Sequence, residues 1–145
     1  MTTTPDLQEL SSDLVVYAAR LVRAVRRAHE LPAGFRVLSL LDEHGVLGIT
    51  ALAAADRCSQ PTMSGTVSAL AARGWVDKQP NPADARGSVV TLTDSGRREL
   101  DRVRRRTGDL VAARLTSHTV EDLATAVAVL RDVLGSGPDP EKGTL

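Results

Sequence analysis

Residues 49–96 read ITALAAADRCSQPTMSGTVSALAARGWVDKQPNPADARGSVVTLTDSG, and the fold turns on how they are divided. Two short segments with apolar residues at helical spacing meet at Arg57-Cys58-Ser59. Ser59 can cap the second of them, with Pro61 in the first turn, where a missing N–H does little harm. That helix carries Met63, Val67, Leu70 and Ala71 on one side and ends at Arg73-Gly74. The helix before it is predicted over Ala51 to Arg57, with Thr50 as its cap. Trp75-Val76-Asp77-Lys78 and Ser88-Val89-Val90-Thr91-Leu92 read as two strands. Between them lies a turn-rich loop, Pro80-Asn81-Pro82-Ala83-Asp84. The order is helix, turn, helix, hairpin.

Outward from this centre the chain is helical. Leu7, Leu10, Leu14, Tyr17, Leu21, Ala24 and Ala28 alternate at spacings of three and four, which predicts a long first helix from Leu7 to about Glu30. Leu31-Pro32-Ala33-Gly34 breaks it. A second helix carries Phe35, Leu38 and Leu41 and ends near His44-Gly45. Leu47-Gly48-Ile49 reads as a brief strand. After the hairpin, Thr93 can cap a fifth helix that reaches about Leu115, with Leu100, Val103, Thr107 and Leu110 along one side. Thr119 can cap a sixth, where Val120, Leu123, Val127, Leu130 and Leu134 repeat the three-four pattern. Residues 136–145 are expected to be a flexible tail. The fold class is mainly α with a small β-wing. Residues 33–96 are expected to form a winged helix-turn-helix, with residues 1–32 and 97–135 expected to supply helices for dimerisation.

Composition agrees with packed helices. The chain has 145 residues, enough for one core, and only one Phe, one Trp and one Tyr. Its formal net charge is zero, yet residues 57–114 hold eleven basic residues against six acidic ones. A local basic surface is sufficient for phosphate contact. Arg102, Arg104, Arg105 and Arg106 are read as a solvated helix face rather than as part of it. A single cysteine excludes an internal disulfide. Met1-Thr2-Thr3-Thr4-Pro5 lacks the basic start and apolar run of a signal peptide, so none is expected, and no apolar run approaches the roughly 18 residues of a membrane span. A cytoplasmic protein with no membrane contact is expected.

A helix that reads duplex DNA needs an apolar side to seat it and a small polar side to enter the groove. The fourth helix has both. Met63, Val67 and Leu70 face inward, leaving Gln60, Pro61, Thr62, Ser64, Gly65 and Ser68 outside. Gln60 suits an adenine edge, and the hydroxyls suit bases or phosphates. Arg73 and Lys78 add charge beside it. Arg86 projects a guanidinium from the hairpin, toward the negative potential of a narrow minor groove. Asp84 is read as a brace that orients a nearby arginine or lysine.

Several motifs in this order resemble the MarR (multiple antibiotic resistance regulator) family. They are Leu52-Ala53, Ser59-Gln60-Pro61-Thr62-Met63-Ser64, Arg73-Gly74-Trp75-Val76, Asp84-x-Arg86-Gly87 and Leu92-Thr93-x-x-Gly96. The resemblance implies a homodimeric regulator, often a repressor, that binds a pseudo-palindromic operator in double-stranded DNA. It also implies release by a small phenolic or other aromatic effector, or in some members by thiol oxidation. Many relatives carry Arg at the position of Gly65 and a basic residue at that of Ala85. This chain has neither, so its base contacts depend more on Gln60, Thr62 and Ser64.

The apolar seam of the first helix is hard to bury in so small a domain, and a second copy would cover it by a two-fold contact. Tyr17, Arg20, Phe35 and Trp75 are the candidates for an effector pocket, otherwise lined by aliphatic residues. Cys58 reads as a packed thiol, with a redox switch as the alternative. His29, His44 and His118 lack metal-ligand spacing, so no metal and no cofactor is expected. Neither a phosphate loop nor a nucleophile elbow is present, and no enzyme is expected. The competing reading is a protein-interaction module on the same fold without specific DNA binding. The bare Gly65 and Ala85 positions and zero net charge are its support.

Overall fold

Helix starts are set locally wherever a short polar side chain can meet the first free N–H groups. The computed structural model describes residues 4–135. In it α1 spans Leu7–Ala28, capped by a reciprocal pair in which Asp6 accepts from the Glu9 N–H and Glu9 accepts from the Asp6 N–H. It ends two residues before the expected boundary, where His29 turns extended and returns its N–H to Val25. Helix α2 spans Phe35–His44, and the short strand β1 is Leu47–Gly48. Helices α3 and α4 are Ile49–Asp56 and Gln60–Ala72, followed by strands β2, Val76–Asn81, and β3, Asp84–Leu92. Helix α5 spans Asp94–Ala112 and α6 spans Val120–Gly135. The tail expected over 136–145 lies outside the described residues.

The chain divides into two compact units, Met1–Thr107 and Gly108–Leu145. In the first, the core is Val37, Leu38 and Leu41 of α2, Leu52 of α3, Met63, Val67 and Leu70 of α4, Val76 and Val90 of the sheet, and Leu100 of α5. Each leucine there is fully buried and contributes about 2 kcal/mol relative to exposure. Gly34 starts α2 with φ +82°, and a Cβ there would also lie 2.9 Å from Leu70 Cδ1. The positive φ calls for glycine at this corner, and an added Cβ would also make the end of the Leu70 side chain shift. The second unit is carried by α6, whose first turn is capped by Thr119 and Asp122 bonding to each other's N–H groups.

Two sequence expectations need correction. Thr50 is not a cap, because α3 begins two residues earlier than expected, at Ile49, with Gly48 as its N-cap. Gly48 pairs with Val89 across the sheet, so it is held extended and the helix starts where the ladder ends. The loop 80–84 shrinks to the two residues Pro82-Ala83, since the strands reach Asn81 and Asp84. Asn81 Oδ1 accepts from the Ala83 N–H at 2.9 Å, a side-chain turn that reverses the chain quickly. The sheet is antiparallel in the order β1-β3-β2.

Charge ties α2 to α5. Asp42 accepts from Arg97 and, at 2.8 Å, from Arg104. The Arg104 guanidinium, with Arg97 beside it, holds the Asp42 carboxyl below the usual carboxylate range despite its partial burial. A depressed folded-state value means the stabilisation is complete above the unfolded value near pH 4 and is lost as pH falls through the folded one. Urea unfolding at pH 7 should show Asp42→Asn less stable by about 1 kcal/mol, discounted for the exposed arginines. The deficit should shrink as pH drops below about 4. An equal deficit at pH 7 and pH 3 would show that the ion pair is not its source.

None of the described helices is long and apolar enough to cross a membrane. The seam of α1 has no buried residue, with Leu7 83% exposed and Leu10 53%. On α6, Val120 is 86% exposed and Leu134 78%. These are larger apolar faces than an isolated surface helix normally leaves to water.

Candidate nucleic-acid interface

The reading helix is positioned from both ends. At its start, Ser59 Oγ accepts from the Thr62 N–H at 3.2 Å and donates to the Thr62 hydroxyl at 2.8 Å. Pro61 sits in the first turn. The turn from α3 is tight, because Arg57 adopts φ 53°, a left-handed conformation that a side chain other than glycine resists. Met63, Val67 and Leu70 anchor α4 to the core, as the sequence predicts, while Ala71 is half-buried. The opposite face carries Gln60, Gly65 and Ser68 in the open and Ser64 half-buried.

At its end, α4 is locked to the start of α5. Thr93 Oγ1 donates to the Gly74 carbonyl at 2.6 Å and accepts from the Gly96 N–H at 3.0 Å. The Thr93 N–H reaches the Trp75 carbonyl at 3.1 Å. Thr93 thus caps α5 and holds the exit of α4 together. Gly96 is buried directly against the Trp75 backbone. This accounts physically for the Leu92-Thr93-Asp94-Ser95-Gly96 run.

The wing is built by a break in register. Pro80 pairs with Ser88 but Asn81 pairs with Asp84, which leaves Ala85, Arg86 and Gly87 without partners on the ladder. Arg86 stands at the centre of this bulge. Asp84 braces it through the main chain: its Oδ1 accepts from the Arg86 N–H at 3.0 Å. Among the described residues no carboxylate pairs with the Arg86 guanidinium.

A concave groove of about 1020 Å³ lies between the helix-turn-helix and the wing. Gln60, Pro61 and Ser64 of α4 line one wall, and Lys78, Asp84 and Arg86 of the wing line the other. Thr50, Asn81 and Ser88 also line it and escaped the sequence reading. Asn81 had a signal in its turn chemistry, and Thr50 was assigned to a cap instead. Thr62, Gly65 and Ser68 lie outside this lining, on the exposed part of α4. Arg73 is engaged elsewhere, with its guanidinium 4.9 Å from the Trp75 ring centre.

The effector candidates are not gathered in one place. Tyr17 and Arg20 are exposed on α1 and stack on each other at 5.4 Å. Phe35 packs partly against the core and lines a cleft at the α1–α2 corner. Trp75 packs against the core beneath Arg73. Cys58 is half-buried and also packs against the core. On α5, Arg102 bonds Glu99 twice, at 2.9 and 2.6 Å, and holds that carboxyl below its usual range.

A helix-turn-helix seated on α2, flanked by a bulged hairpin that carries Lys78 and Arg86 and closed by Thr93, is a winged helix-turn-helix. Residues 32–88 match the model of the MarR family. An HTH-type transcriptional regulator of Mycobacterium tuberculosis is 33% identical over 134 residues, which are 90% of this chain and 88% of that protein. The structure of wild-type apo MarR from Escherichia coli superposes with a TM-score of 0.62 at 24% identity, covering 92% of this chain and 99% of that one. A mutant MarR from Escherichia coli complexed with operator DNA gives 0.54 at 25% identity, covering 88% and 93%. The chain belongs to the MarR family of transcriptional regulators.

Proposed function

We propose that this regulator occupies a pseudo-palindromic operator as a homodimer, acts as a repressor, and is released by a small-molecule effector. The carrying observation is the groove that sets Gln60 and Ser64 opposite Lys78 and Arg86. Gln60 and Ser64 would meet base edges, with Thr62, Gly65 and Ser68 following on the exposed part of α4. Lys78 and Arg86 would meet phosphates or the adjoining minor groove. The solved operator complex of a MarR relative supports the assignment. The exposed apolar faces of α1 and α6 support the dimer, since a two-fold contact would cover them and space two reading helices about one DNA turn apart.

The test is fluorescence anisotropy on the intergenic DNA flanking the chain's own gene, against an unrelated duplex, at two salt concentrations. Preference for the flanking DNA is expected. Equal weak binding to both duplexes would favour a protein-interaction role. Gln60→Ala should change the preferred sequence at one position in each half-site, by about 1–3 kcal/mol. An unchanged preference in a randomised-site selection would remove Gln60 from the base contacts. Leu10→Glu should shift sedimentation toward the monomer and weaken operator binding together. A variant that stays dimeric would show that this face of α1 is not the contact.

A further inference from the structure

The turn that aims α4 is short and strained. It consists of Arg57-Cys58-Ser59, with Arg57 left-handed at φ 53° and ψ 43°. Many helices end on a residue in this conformation, but it is usually glycine, because a side chain resists it. The bonds around the turn show what holds it. The Cys58 N–H reaches the Ala53 carbonyl at 3.0 Å, and the Arg57 N–H reaches the Ala54 carbonyl at 3.2 Å. The next two groups are gripped from α2, by Arg36. Its Nη2 donates to the Ala55 carbonyl at 2.9 Å, and its Nε lies 2.9 Å from Asp56 Oδ1. Ala55 and Asp56 are the last residues of α3, immediately before the left-handed Arg57.

Arginine suits this place physically. A cation at the end of a helix meets the negative end of its dipole and a free carbonyl. The guanidinium is a planar fork that holds two acceptors in fixed geometry, which a lysine ammonium does not. The main chain behind it is anchored, since Val37 and Leu38 are buried in the core. As an ion pair the contact is worth little, with the Arg36 and Asp56 side chains 52% and 33% exposed. Its consequence is geometric instead. Ala51 and Ala54 of α3 line the groove together with Gln60, Pro61 and Ser64 of α4, so the turn between the helices sets the groove's shape. Arg36 itself is not part of that lining.

We propose that Arg36 is a positioning residue for sequence reading. From α2 it fixes the last turn of α3, keeps Arg57 left-handed, and so delivers α4 at the angle that base contacts require. Base edges demand placement within about 0.5 Å, whereas phosphate contacts tolerate more. Loss of Arg36 therefore costs discrimination between sequences rather than general affinity for DNA. This role rests on the reading of α4 as the DNA-reading helix.

The test reads the turn and the DNA separately. Arg36→Met keeps the stem and removes both donors, and Asp56→Asn removes only the charge that Arg36 faces. Amide hydrogen exchange of the full chain is followed by NMR. In Arg36→Met, exchange at Arg57 and Cys58 should quicken about fivefold or more, while Leu41 and Val67 in the core keep their rates. Affinity is then measured for the duplex that the unaltered chain selects from a randomised pool, and for an unrelated duplex. Arg36→Met should lose about tenfold on the selected duplex, the scale of one misplaced base contact. The unrelated duplex should change by less than about twofold at an unaltered salt slope, because no phosphate contact is removed. Asp56→Asn should act in the same direction by less. Glycine adopts the left-handed turn unaided, so adding Arg36→Met to Arg57→Gly should cost about threefold or less. The proposal is overturned if exchange at Arg57 and Cys58 is unchanged or if both duplexes weaken equally. A salt slope lower by about one unit also overturns it, by making Arg36 a phosphate contact. Faster exchange in a chain that selects no sequence from the pool keeps Arg36 as the restraint on the turn and removes the DNA reading instead.

Discussion

Gly96→Ala should lower the stability of this protein by about 3 kcal/mol or more, the largest effect expected of any single methyl group in the chain. A Cβ at this position would fall on the Trp75 carbonyl oxygen and lie 2.9 Å from Leu92 Cδ1. The obstacle is backbone, so it cannot turn aside as a side chain would. The same carbonyl receives the Thr93 N–H, and the neighbouring Gly74 carbonyl receives the Thr93 hydroxyl. Moving α5 outward to make room would break this lock and uncover Leu100. Urea unfolding followed by the fluorescence of Trp75, the single tryptophan, measures the loss. Gly65→Ala is the matched control. Gly65 is exposed in α4 with nothing within 4 Å of an added Cβ, so alanine there should stabilise by about 0.5–1 kcal/mol. Both glycines lie in helices, and only their surroundings differ. A Gly96→Ala chain within about 0.5 kcal/mol of the parent would disprove the close approach.

Arg86→Ala should weaken operator binding about tenfold and lower the slope of log affinity against log salt by about one unit. The register break places Arg86 in the middle of three unpaired residues, and Asp84 fixes its main chain. No carboxylate among the described residues competes for the guanidinium, so it is presented to the groove already unpaired. Removing it should reduce affinity for specific and unrelated duplexes alike, since a phosphate or minor-groove contact of this kind carries little base information. Gly65→Arg should act in the opposite sense, adding one contact and raising the salt slope by about one unit. The site has open space for it. An unchanged salt slope in Arg86→Ala would place the wing off the DNA.

Much of the fold was legible because its signals are local. Ser59, Thr93 and Thr119 were readable as helix starts, since a cap involves only the next three residues. The inward set Met63, Val67 and Leu70 follows from spacing alone. Gln60, Ser64, Lys78 and Arg86 were identifiable as groove candidates by residue type and position, and the structure places all four around one concavity. Thr50 was misread for the reason that makes the others readable in reverse. Its helix start is decided by the pairing of Gly48 with Val89, a partner 41 positions away in the chain.

Tertiary structure alone decided the rest. The wing's true ends depend on cross-strand pairing, which no single strand encodes. Asp42 meets Arg97 and Arg104 across separations of 55 and 62 residues, and nothing in the local sequence marks these three among many charges. Gly96 stands in a recognisable motif, but its necessity comes from the Trp75 carbonyl pressed against it. His29 looked like one of three scattered histidines until folding buried it without a hydrogen-bond partner among the described residues. Helix caps and apolar spacing act over one or two turns, so the sequence by itself determined the elements and which way they face. Close approach, ion pairing and desolvation depend on distances in space between distant residues, so only the folded chain decided where its backbone touches, which charges meet and which polar group is left unsatisfied.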